Sequence, residues 1–558
     1  MKIVVIGAVA AGTSAAAKAR RNSEEAEIKI FEMDSDISYS ACGLPYYIGT
    51  EVESREQLVP RDAAFFKRKY NVDIFTRHQV LDIITAEKSI RVLNMDTGEE
   101  FNEAFDKLVI ATGAEAVVPP IEGVSKSNVF VLRNVGSADR IRDFIFKNNP
   151  RKAVIVGSGF IGLEMAENLK NRGIEVAMVD MADHVMPSLD KDAAVYLEDY
   201  LRSKDIELVL NDTVAAFGGE TAADKVIMKS GRALETDFII LSAGIRPNIK
   251  LAVRAGVELG TTGAIKTNTR MQTNFDYIYA CGDCTESYSS ITGKPLYRPL
   301  GTTANKTGRI AGDQVTGGSL EFRGILGTGI FRVFDMTVAV TGLTESEAIK
   351  EGFDVVVCHN TKPDKPGYFK GSEMVIKAVA DRASGRILGA QIIGKSGVDK
   401  RIDVFATAIT FGATAEDLSH LDLAYSPPFS TSKDPVIYTG MILDNDINRG
   451  RKLITAKELE EMKMRGEAIS VIDARTQPQF EKSHVEDAAS IPHECLRQQM
   501  DRLDKNSRIV TYCNKGVTGN AAQNILLNNG FRNVYNLSGG HENYRKQKNK
   551  SVVNVNNK

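Results

Sequence analysis

The chain has 558 residues, of which 43% are hydrophobic and 25% are charged. Its length predicts about three to five domains, and its composition excludes a chain that is disordered throughout. The 70 basic and 72 acidic residues leave a formal net charge of −2, which gives no electrostatic case for binding nucleic acid. Six cysteines are too few for a disulfide scaffold in so long a chain.

The N-terminal sequence is apolar, but it does not have the order of a secretory signal. Its basic residues follow the apolar run instead of preceding it, and glycines interrupt the run. No uninterrupted run of about 18 apolar residues occurs, so we expect no transmembrane helix. We therefore expect a cytoplasmic protein, where thiols stay reduced and a functional cysteine is more often catalytic than structural.

The first residues form a β-branched strand that ends at Gly7, followed by an Ala-rich helix and a second strand that ends at Glu32. This order predicts a βαβ dinucleotide-binding unit. Gly12 allows the helix to pack closely on the strand, and Glu32 can bond a ribose hydroxyl. Val9 takes the middle position of G-x-G-x-x-G, so an ordinary α/β unit is the alternative.

A second βαβ unit carries the complete fingerprint GSGFIG, which contains Gly157, Gly159, Phe160 and Gly162. Its second strand ends at Asp180, and no Arg follows in MADHVM. An acid at this position favours an unphosphorylated ribose, and hence NADH over NADPH.

Three further segments follow these units in order: KLVIATGA, FIILSAGIRPN and YIYACGDCTE. Together with the two fingerprints they resemble the flavin-dependent pyridine nucleotide–disulfide oxidoreductase family over about residues 1–445. The resemblance implies that FAD binds the first unit and NADH the second. The resemblance also implies that the FAD site includes Ala111, Thr112, Gly113 and Asp283, and that Asp283 binds the ribitol. It further implies that Gly244 belongs to the NADH site.

Cys281 and Cys284 form a C-x-x-C, which is found in redox pairs and in zinc sites. No second cysteine pair or nearby His cluster completes a metal site, and the GD between them matches the flavin motif. We therefore interpret both as core residues and expect no metal.

Cys42 lies in SYSACGLPYYIG, where the family keeps its redox cysteine. Dithiol members have a second cysteine five positions on, but Tyr47 stands there. A lone redox cysteine needs another partner: a sulfenic acid, a mixed disulfide with a small thiol, or a persulfide. The peroxidase-like members carry a His in the glycine loop where this chain has Ala10. ACGLPY and GAVAAG instead resemble the coenzyme A disulfide reductase branch.

That resemblance implies a coenzyme A site formed by residues on and near the first helix. Lys18 and Arg21 would meet phosphates, and Ser14 lies one turn before Lys18; a solvated helix face is the alternative for the basic pair. The complete predicted set is Ser14, Lys18, Arg21 and Ser38.

Residues 321–445 resemble the family's interface domain, which implies a homodimer. Tyr425 aligns with a tyrosine that the reductases place near the partner subunit's cysteine, where a phenol can hydrogen-bond a leaving thiolate. Tyr368 in KPGYFKG resembles a second such tyrosine, although Phe369 and Lys370 follow it where the family has a second tyrosine and Pro.

The C-terminal motifs occur in the order D-x-R, H-x-x-x-A-x-x-I-P, Cys at a strand end, and a final GG. They resemble one rhodanese domain over about residues 455–545. Amides of a loop that opens a helix form an anion nest, and a helix N-terminus favours a thiolate. Cys513 is the predicted sulfur carrier, and its loop comprises Asn514, Lys515, Gly516, Val517 and Thr518.

Lys515 is expected to add positive charge to this loop. Two positions depart from the usual rhodanese pattern, with Thr518 in place of Arg and His541 in place of Trp. These departures leave open which sulfur donor the domain uses. A Cys-loop phosphatase is the alternative, but it requires an Arg at the loop end. Cys358 and Cys495 are interpreted as structural residues.

The fusion of a lone-cysteine flavin reductase with a rhodanese resembles the coenzyme A disulfide reductase–rhodanese fusions, also described as NADH-dependent persulfide reductases. The predicted substrates are coenzyme A persulfide, polysulfide and coenzyme A disulfide, with a coenzyme A mixed disulfide on Cys42. An NADH oxidase or peroxidase that forms a sulfenic acid, and a redox sulfur sensor, remain alternatives.

The predicted architecture is α/β, with two Rossmann-like dinucleotide-binding domains, an α+β dimerisation domain and a C-terminal rhodanese-like α/β domain. The boundaries are 1–110 and 246–320 for FAD, 111–245 for NADH, 321–445 for dimerisation, 446–454 for a linker, 455–545 for the rhodanese domain and 546–558 for a polar tail.

Overall fold

The structure is a computed structural model that describes residues 1–555. It divides into two compact units. The first contains Met1–Asp183 and Lys204–Gly327, and the second contains His184–Ser203 and the chain from Thr328 onward. In the described part of the chain, no helix combines the length and apolar character needed to cross a membrane.

The first unit contains a five-stranded parallel sheet that begins the chain. Three adjacent strands, Lys2–Ile6, Lys107–Ile110 and Ile278–Ala280, are short apolar runs that are largely buried on both faces, as is usual in parallel sheets. The helix Ala10–Asn22 packs against a second helix, Gly301–Gln314, where glycines allow close approach. The strand order is Ile278–Ala280, Lys107–Ile110, Lys2–Ile6, Glu27–Phe31 and Asp73–Phe75.

A second five-stranded parallel sheet in the same unit repeats this architecture. Its strand order is Ile206–Leu210, Glu175–Asp180, Lys152–Val156, Phe238–Leu241 and Val129–Val131, and its helices are Val135–Asn148 and Phe160–Asn171. The two predicted βαβ units therefore each lie at the centre of a parallel sheet.

Smaller elements complete the first unit. Its antiparallel sheets are formed by His78–Ile84, Ser89–Asn94 and Glu100–Ala104; by Val214–Gly218, Lys225–Met228 and Ala233–Glu235; by Ala114–Ala116 with Ile245–Pro247; and by Ser287–Tyr288 with Pro295–Leu296. Its remaining helices are Leu44–Ile48, Arg55–Leu58, Ala63–Tyr70 and Lys250–Arg254, with 3₁₀ turns at Ala41–Gly43 and Thr85–Glu87.

The first part of the second unit is an α+β domain, which contains a five-stranded antiparallel sheet. The strand order is Gly329–Val333, Met336–Gly342, Ile387–Gly394, Glu373–Asp381 and Val355–Pro363. The helices are Lys191–Ser203, Glu345–Lys350, Val398–Thr410, Ala415–Ser419 and Pro435–Ile447, with a 3₁₀ turn at Gly367–Phe369.

The C-terminal part of the second unit is a five-stranded parallel sheet. The strand order is Leu453–Ile454, Asn533–Leu537, Arg508–Tyr512, Ile469–Asp473 and Ala489–Ser490. The helices are Ala456–Met464, Gln477–Lys482, Leu496–Gln499, Val517–Asn528 and Gly540–Val555, with a 3₁₀ turn at Met500–Arg502. The segment predicted as a polar tail from 546 thus begins inside the last helix, and its residues 556–558 lie outside the described residues.

Candidate active sites at Cys42 and Cys513

The first glycine loop is too tight for side chains at two positions. Gly7 has a φ of +105°, and a Cβ built on it would lie 2.3 Å from the carbonyl oxygen of Ala111. A Cβ on Gly12 would lie 1.9 Å from the carbonyl oxygen of Gly7. The buried carboxylate of Glu32 accepts the amide of Ala8 at 2.7 Å. Burial raises the pKa of Glu32, while hydrogen bonds from backbone amides oppose that shift.

Other predicted flavin residues meet at the same sheet edge, because the carboxyl ends of neighbouring parallel strands lie together. Thr112 donates its hydroxyl to the carbonyl oxygen of Asn248 at 2.7 Å, and Gly113 has a φ of +67°. Burial raises the pKa of Asp283, and the positive charge of Arg133 opposes that shift. The tight glycine loop, the carboxylate of Glu32 and this edge of the sheet together form a site that can bind a dinucleotide. The sequence reasoning missed Arg133.

The second glycine loop repeats the geometry of the first. A Cβ on Gly162 would lie 2.1 Å from the carbonyl oxygen of Gly157. At Gly159 no described heavy atom lies within 4 Å of such a Cβ, so the loop faces open space there. Asp180 accepts the amide of Ser158 at 2.7 Å. The other predicted NADH residues are Phe160, which begins the helix, and Gly244, which has a φ of +102°.

Cys42 lies in the 3₁₀ turn Ala41–Gly43, and the residue is exposed. Partial desolvation, followed by the carboxylates of Glu164 and Asp283, raises the pKa of its thiol. Cys42 is therefore close enough to interact electrostatically with a carboxylate of the predicted flavin site. Tyr47, at the position of the missing second cysteine, is buried and donates its hydroxyl to Asp139 at 3.0 Å.

The predicted coenzyme A residues on the first helix make contacts within the protein. The Lys18 ammonium lies 3.0 Å from a carboxylate oxygen of Asp313, and Ser14 donates to the side chain of Asn305 at 2.7 Å. Arg21 is exposed. The remaining predicted residue, Ser38, has a φ of 50° and donates its amide to the carbonyl oxygen of Ala8. Their binding role stays a prediction.

The two predicted tyrosines of the antiparallel domain are exposed. Tyr368 is 74% exposed and Tyr425 is 52% exposed. The Tyr368 ring centroid lies 5.2 Å from that of Phe369. Their proposed action on a partner subunit's cysteine stays a prediction.

Cys513 is buried at the end of the strand Arg508–Tyr512. The loop 514–516 turns into the helix Val517–Asn528, and Gly516 makes the turn with a φ of +97°. The amide of Gly516 donates to the Cys513 sulfur at 3.2 Å. The sulfur therefore lies at a helix N-terminus with an amide directed at it, an arrangement that favours an anionic sulfur.

Arg475, from the D-x-R motif, contacts this loop through its buried guanidinium. It is buried, and its guanidinium donates to both carboxylate oxygens of Asp473. Its Nη1 also donates to Asn514 at 3.3 Å and lies 3.2 Å from the Nδ1 of His541. Burial and the neighbouring guanidinium lower the pKa of His541 to about 4. Near neutral pH, His541 is therefore an uncharged acceptor for Arg475.

Lys515 has negative partners that its sequence context did not predict. Its ammonium forms an ion pair with Glu373 and lies 3.9 Å from Glu542. A carboxylate from the antiparallel sheet therefore offsets much of the positive charge that Lys515 adds to the loop.

The cysteines interpreted as core residues are free thiols. Cys281 and Cys284 are wholly buried and pack in different hydrophobic clusters. Burial raises the pKa of Cys284 to about 11 and that of Cys358 to about 12. These three thiols are poor nucleophiles near neutral pH. Cys495 is half-buried before the helix Leu496–Gln499.

Family comparisons agree with this arrangement of domains. The pyridine nucleotide-disulphide oxidoreductase model matches residues 1–299, its dimerisation domain matches residues 330–435, and the rhodanese-like domain matches residues 455–547. The chain therefore belongs to the pyridine nucleotide-disulphide oxidoreductase family, and it carries a C-terminal rhodanese-like domain. Members of this family use FAD and NAD(P)H, so the chain is a flavin-dependent oxidoreductase.

Individual relatives narrow the comparison. The NAD(P)H sulfur oxidoreductase (CoA-dependent) of Pyrococcus furiosus is 37% identical over 444 residues, which are 79% of this chain and 99% of the relative. The structure of reduced Bacillus anthracis CoADR-RHD has a TM-score of 0.95 and 38% identity, and covers 98% of each chain. The NAD-dependent persulfide reductase from A. fulgidus has a TM-score of 0.90 and 36% identity, over 98% of this chain and 100% of that one. The predicted fold class and family are confirmed.

Proposed function

We propose that this protein is an FAD-dependent, NADH-oxidising reductase of coenzyme A persulfide, polysulfide and coenzyme A disulfide. Cys42 is its redox centre, and Cys513 transfers sulfane sulfur to coenzyme A. The observation that carries the proposal is the presence of two separate thiol sites, with Cys42 exposed in the flavoprotein unit and Cys513 at a helix N-terminus with the Gly516 amide directed at its sulfur. The printed names of the Pyrococcus and A. fulgidus relatives support the substrate class.

The cofactor would be held by the glycine loop and strand edge of the first sheet. Gly7 and Gly12 admit the pyrophosphate, Glu32 would bond the ribose, and Asp283 would bond the ribitol. When bound, FAD supplies a two-electron carrier between NADH and a disulfide at Cys42. Asp180, at the end of the second fingerprint, would hold an unphosphorylated ribose, so we propose NADH as the preferred donor.

The reaction at Cys42 begins with its thiolate. The Cys42 sulfur attacks the inner sulfur of a coenzyme A persulfide, the sulfur–sulfur bond of the persulfide breaks, and hydrosulfide leaves. The product is a mixed disulfide between Cys42 and coenzyme A. Two electrons, provided by NADH, then return that disulfide to the Cys42 thiolate and coenzyme A thiolate. With coenzyme A disulfide the same attack releases coenzyme A thiolate instead of hydrosulfide.

The reaction at Cys513 supplies the persulfide. The Cys513 thiolate attacks the outer sulfur of thiosulfate, the bond between that sulfur and the sulfonate breaks, and sulfite leaves. The sulfane sulfur remains on Cys513 as a persulfide anion, which the Gly516 amide and the helix N-terminus stabilise. Attack on its outer sulfur by coenzyme A thiolate forms coenzyme A persulfide and restores the Cys513 thiolate.

We further propose a homodimer and a cytoplasmic location. The dimerisation domain supports the homodimer, with Tyr425 and Tyr368 assigned to the substrate of the partner subunit. A reducing compartment is required because oxidation of Cys42 or Cys513 by other routes would stop turnover.

Steady-state NADH oxidation by the yellow holoenzyme tests this function. The acceptors compared are coenzyme A persulfide, coenzyme A disulfide, polysulfide, hydrogen peroxide and oxygen. We expect kcat/KM for the coenzyme A acceptors to exceed that for peroxide and oxygen by about a hundredfold or more. A preference for peroxide or oxygen would instead identify an oxidase or peroxidase with a sulfenic acid at Cys42. Absence of NADH oxidation with every acceptor would identify a sulfur sensor.

A further inference from the structure

The Cys513 loop lies against the antiparallel sheet of the same unit. The hydroxyl of Ser538, in the turn after the last strand, accepts the amide of His359 at 2.8 Å. A Cβ built on Gly539 would lie 2.9 Å from the Cβ of His359, so the two backbones approach closely. Lys515 pairs with Glu373 on the neighbouring strand. The antiparallel domain therefore forms part of the surroundings of Cys513.

His359 is fixed from its other side by buried charges. Its Nε2 lies 2.8 Å from a carboxylate oxygen of Asp192, and that carboxylate also accepts a hydrogen bond from Lys377 at 2.7 Å. Asp190 and Glu345 complete the negative surroundings of Lys377. This network fixes the side chain of His359, whose backbone amide contacts Ser538 in the turn after the last strand.

Lys362 lies on that strand, three residues beyond His359. Its side chain is half-buried, and its ammonium lies 4.0 Å from the ring centroid of Tyr438. No carboxylate among the described residues lies within 4.0 Å of the Lys362 ammonium. Lys433, which is exposed, approaches the same ring at 5.9 Å. Lys362 is thus a half-buried cation that packs on the face of the Tyr438 ring.

The strand register places Lys362 beside the Cys513 loop, because Lys362 lies opposite Met374 and the next residue lies opposite Glu373, which pairs with Lys515 of that loop. Burial lowers the pKa of Lys362, the negative charge of Cys513 opposes that shift, and the positive charges of Lys515 and Lys433 add to it. Glu373 already compensates Lys515, so Lys362 is a cation beside this loop that has no carboxylate within 4.0 Å among the described residues.

We propose that Lys362 completes the Cys513 site from the antiparallel domain, where it positions the anionic sulfur on Cys513 and binds the negatively charged end of an inorganic sulfane-sulfur donor. The donor class is a small anion that ends in sulfonate or thiolate, such as thiosulfate or polysulfide. This assignment rests on the proposed sulfur transfer at Cys513. It also accounts for an uncharged Thr518 at a loop position where rhodaneses often have Arg.

The first test measures the alkylation of Cys513 by iodoacetamide in the holoenzyme, followed by mass spectrometry of the peptide that contains it, between pH 6 and 10. Removing a nearby cation disfavours the thiolate, so Lys362→Gln should slow alkylation at pH 7 about three- to tenfold. The difference between the rates should narrow towards pH 10, which lies above the ordinary pKa of a thiol. Lys362→Arg should retain the wild-type rate within about twofold, because the charge is kept.

Lys433→Gln is the matched control, since it removes an exposed lysine beside the same tyrosine ring. We expect its rate to stay within about twofold of wild type. Coincident pH profiles for Lys362→Gln and wild type would overturn the assignment, and so would equal slowing in Lys433→Gln. Slowing at every pH without recovery in Lys362→Arg would indicate a structural defect and also overturn it.

The second test measures thiosulfate-dependent sulfur transfer. Lys362→Gln should raise KM for thiosulfate about three- to tenfold with a smaller change in kcat, because the lost group binds the donor anion. An unchanged KM would overturn the donor-binding role. If wild-type protein transfers no sulfur from any donor, the proposed function fails, but the alkylation profiles still decide whether Lys362 acts on Cys513.

Discussion

The surroundings of Cys42 and Cys513 differ in charge and in exposure. Cys42 is exposed, lies in a short 3₁₀ turn and faces the carboxylates of Glu164 and Asp283. Cys513 is buried at the start of a helix and accepts a hydrogen bond from the Gly516 amide. Negative neighbours disfavour a charged sulfur, whereas amides and cations stabilise one.

The difference shows which sulfur species each site favours. A disulfide carries no charge, so the negative surroundings of Cys42 favour a neutral mixed disulfide over a persulfide anion. A persulfide at Cys513 is an anion at neutral pH, and the loop around it supplies donors for that charge. The two cysteines are therefore suited to different steps, one to disulfide exchange and the other to carrying sulfur.

Replacing Cys42 tests this division with the largest expected effect. Cys42→Ser should lower NADH-dependent reduction of coenzyme A persulfide about a thousandfold or more, because a serine hydroxyl at neutral pH cannot replace a thiolate in disulfide exchange. Thiosulfate-dependent sulfur transfer should stay within about twofold of wild type. Both rates can be measured in the same preparation, with flavin absorbance as the control for folding. Persulfide reduction that survives the substitution would show that Cys42 is not the redox centre.

Replacing Cys513 tests the division from the other side. Cys513→Ser should lower sulfur transfer from thiosulfate about a hundredfold or more, because the nucleophile is lost. Reduction of free coenzyme A persulfide should stay within about twofold, since that substrate bypasses the carrier. Cys495→Ser is the matched control, because it changes another cysteine of the same domain outside the loop. Equal loss of both activities in Cys513→Ser would contradict separate roles for the two cysteines.

The smallest expected effect is the loss of stability of the Cys513 loop at low pH. The pKa of His541 is about 4 in the folded protein, below its ordinary value of about 6.5. The folded protein therefore favours the neutral His541 ring. The free energy of unfolding has its full value above about pH 6.5, and it falls as the pH drops towards 4, because the unfolded chain then binds a proton that the folded protein does not. The loss should reach about 2–3 kcal/mol around the Cys513 loop.

Amide hydrogen exchange of peptides that contain residues 508–528 measures this loss at pH 7.5, 6.0 and 5.0. Wild-type protein should lose protection more steeply with falling pH than His541→Gln, which does not titrate in this range. Parallel pH dependence in the two proteins would show that His541 does not contribute the acid sensitivity of the loop.

Local sequence patterns predicted well where the strands that carry the candidate site residues end. The strands before Gly7, Gly157 and Cys513 end within a residue of the predicted positions. Short β-branched runs followed by glycine carry that information locally, and the steric need for Gly12 is visible in the fingerprint itself. Asp283 could be assigned to the first sheet because its motif follows a strand of its own.

Contacts between distant segments could not be predicted in this way. Lys515 is paired by Glu373, which precedes it by 142 residues, and Lys18 is paired by Asp313. Glu164 follows the second fingerprint, yet its charge acts on Cys42. No periodicity or spacing reports which charges meet after folding, so the electrostatics of both cysteines required the structure.

The helix Lys191–Ser203 has a consequence for how this protein can be divided. Its sequence interrupts the nucleotide-binding half, but it belongs to the second compact unit, where Asp192 contacts Lys377 and His359. An expression fragment that begins at Thr328 would lack this helix and leave the Lys377 ammonium buried without two of its carboxylates, which strongly destabilises a protein. A fragment that ends at Gly327 would carry the helix without the sheet it packs on. No single cut in the gene therefore separates the two units intact.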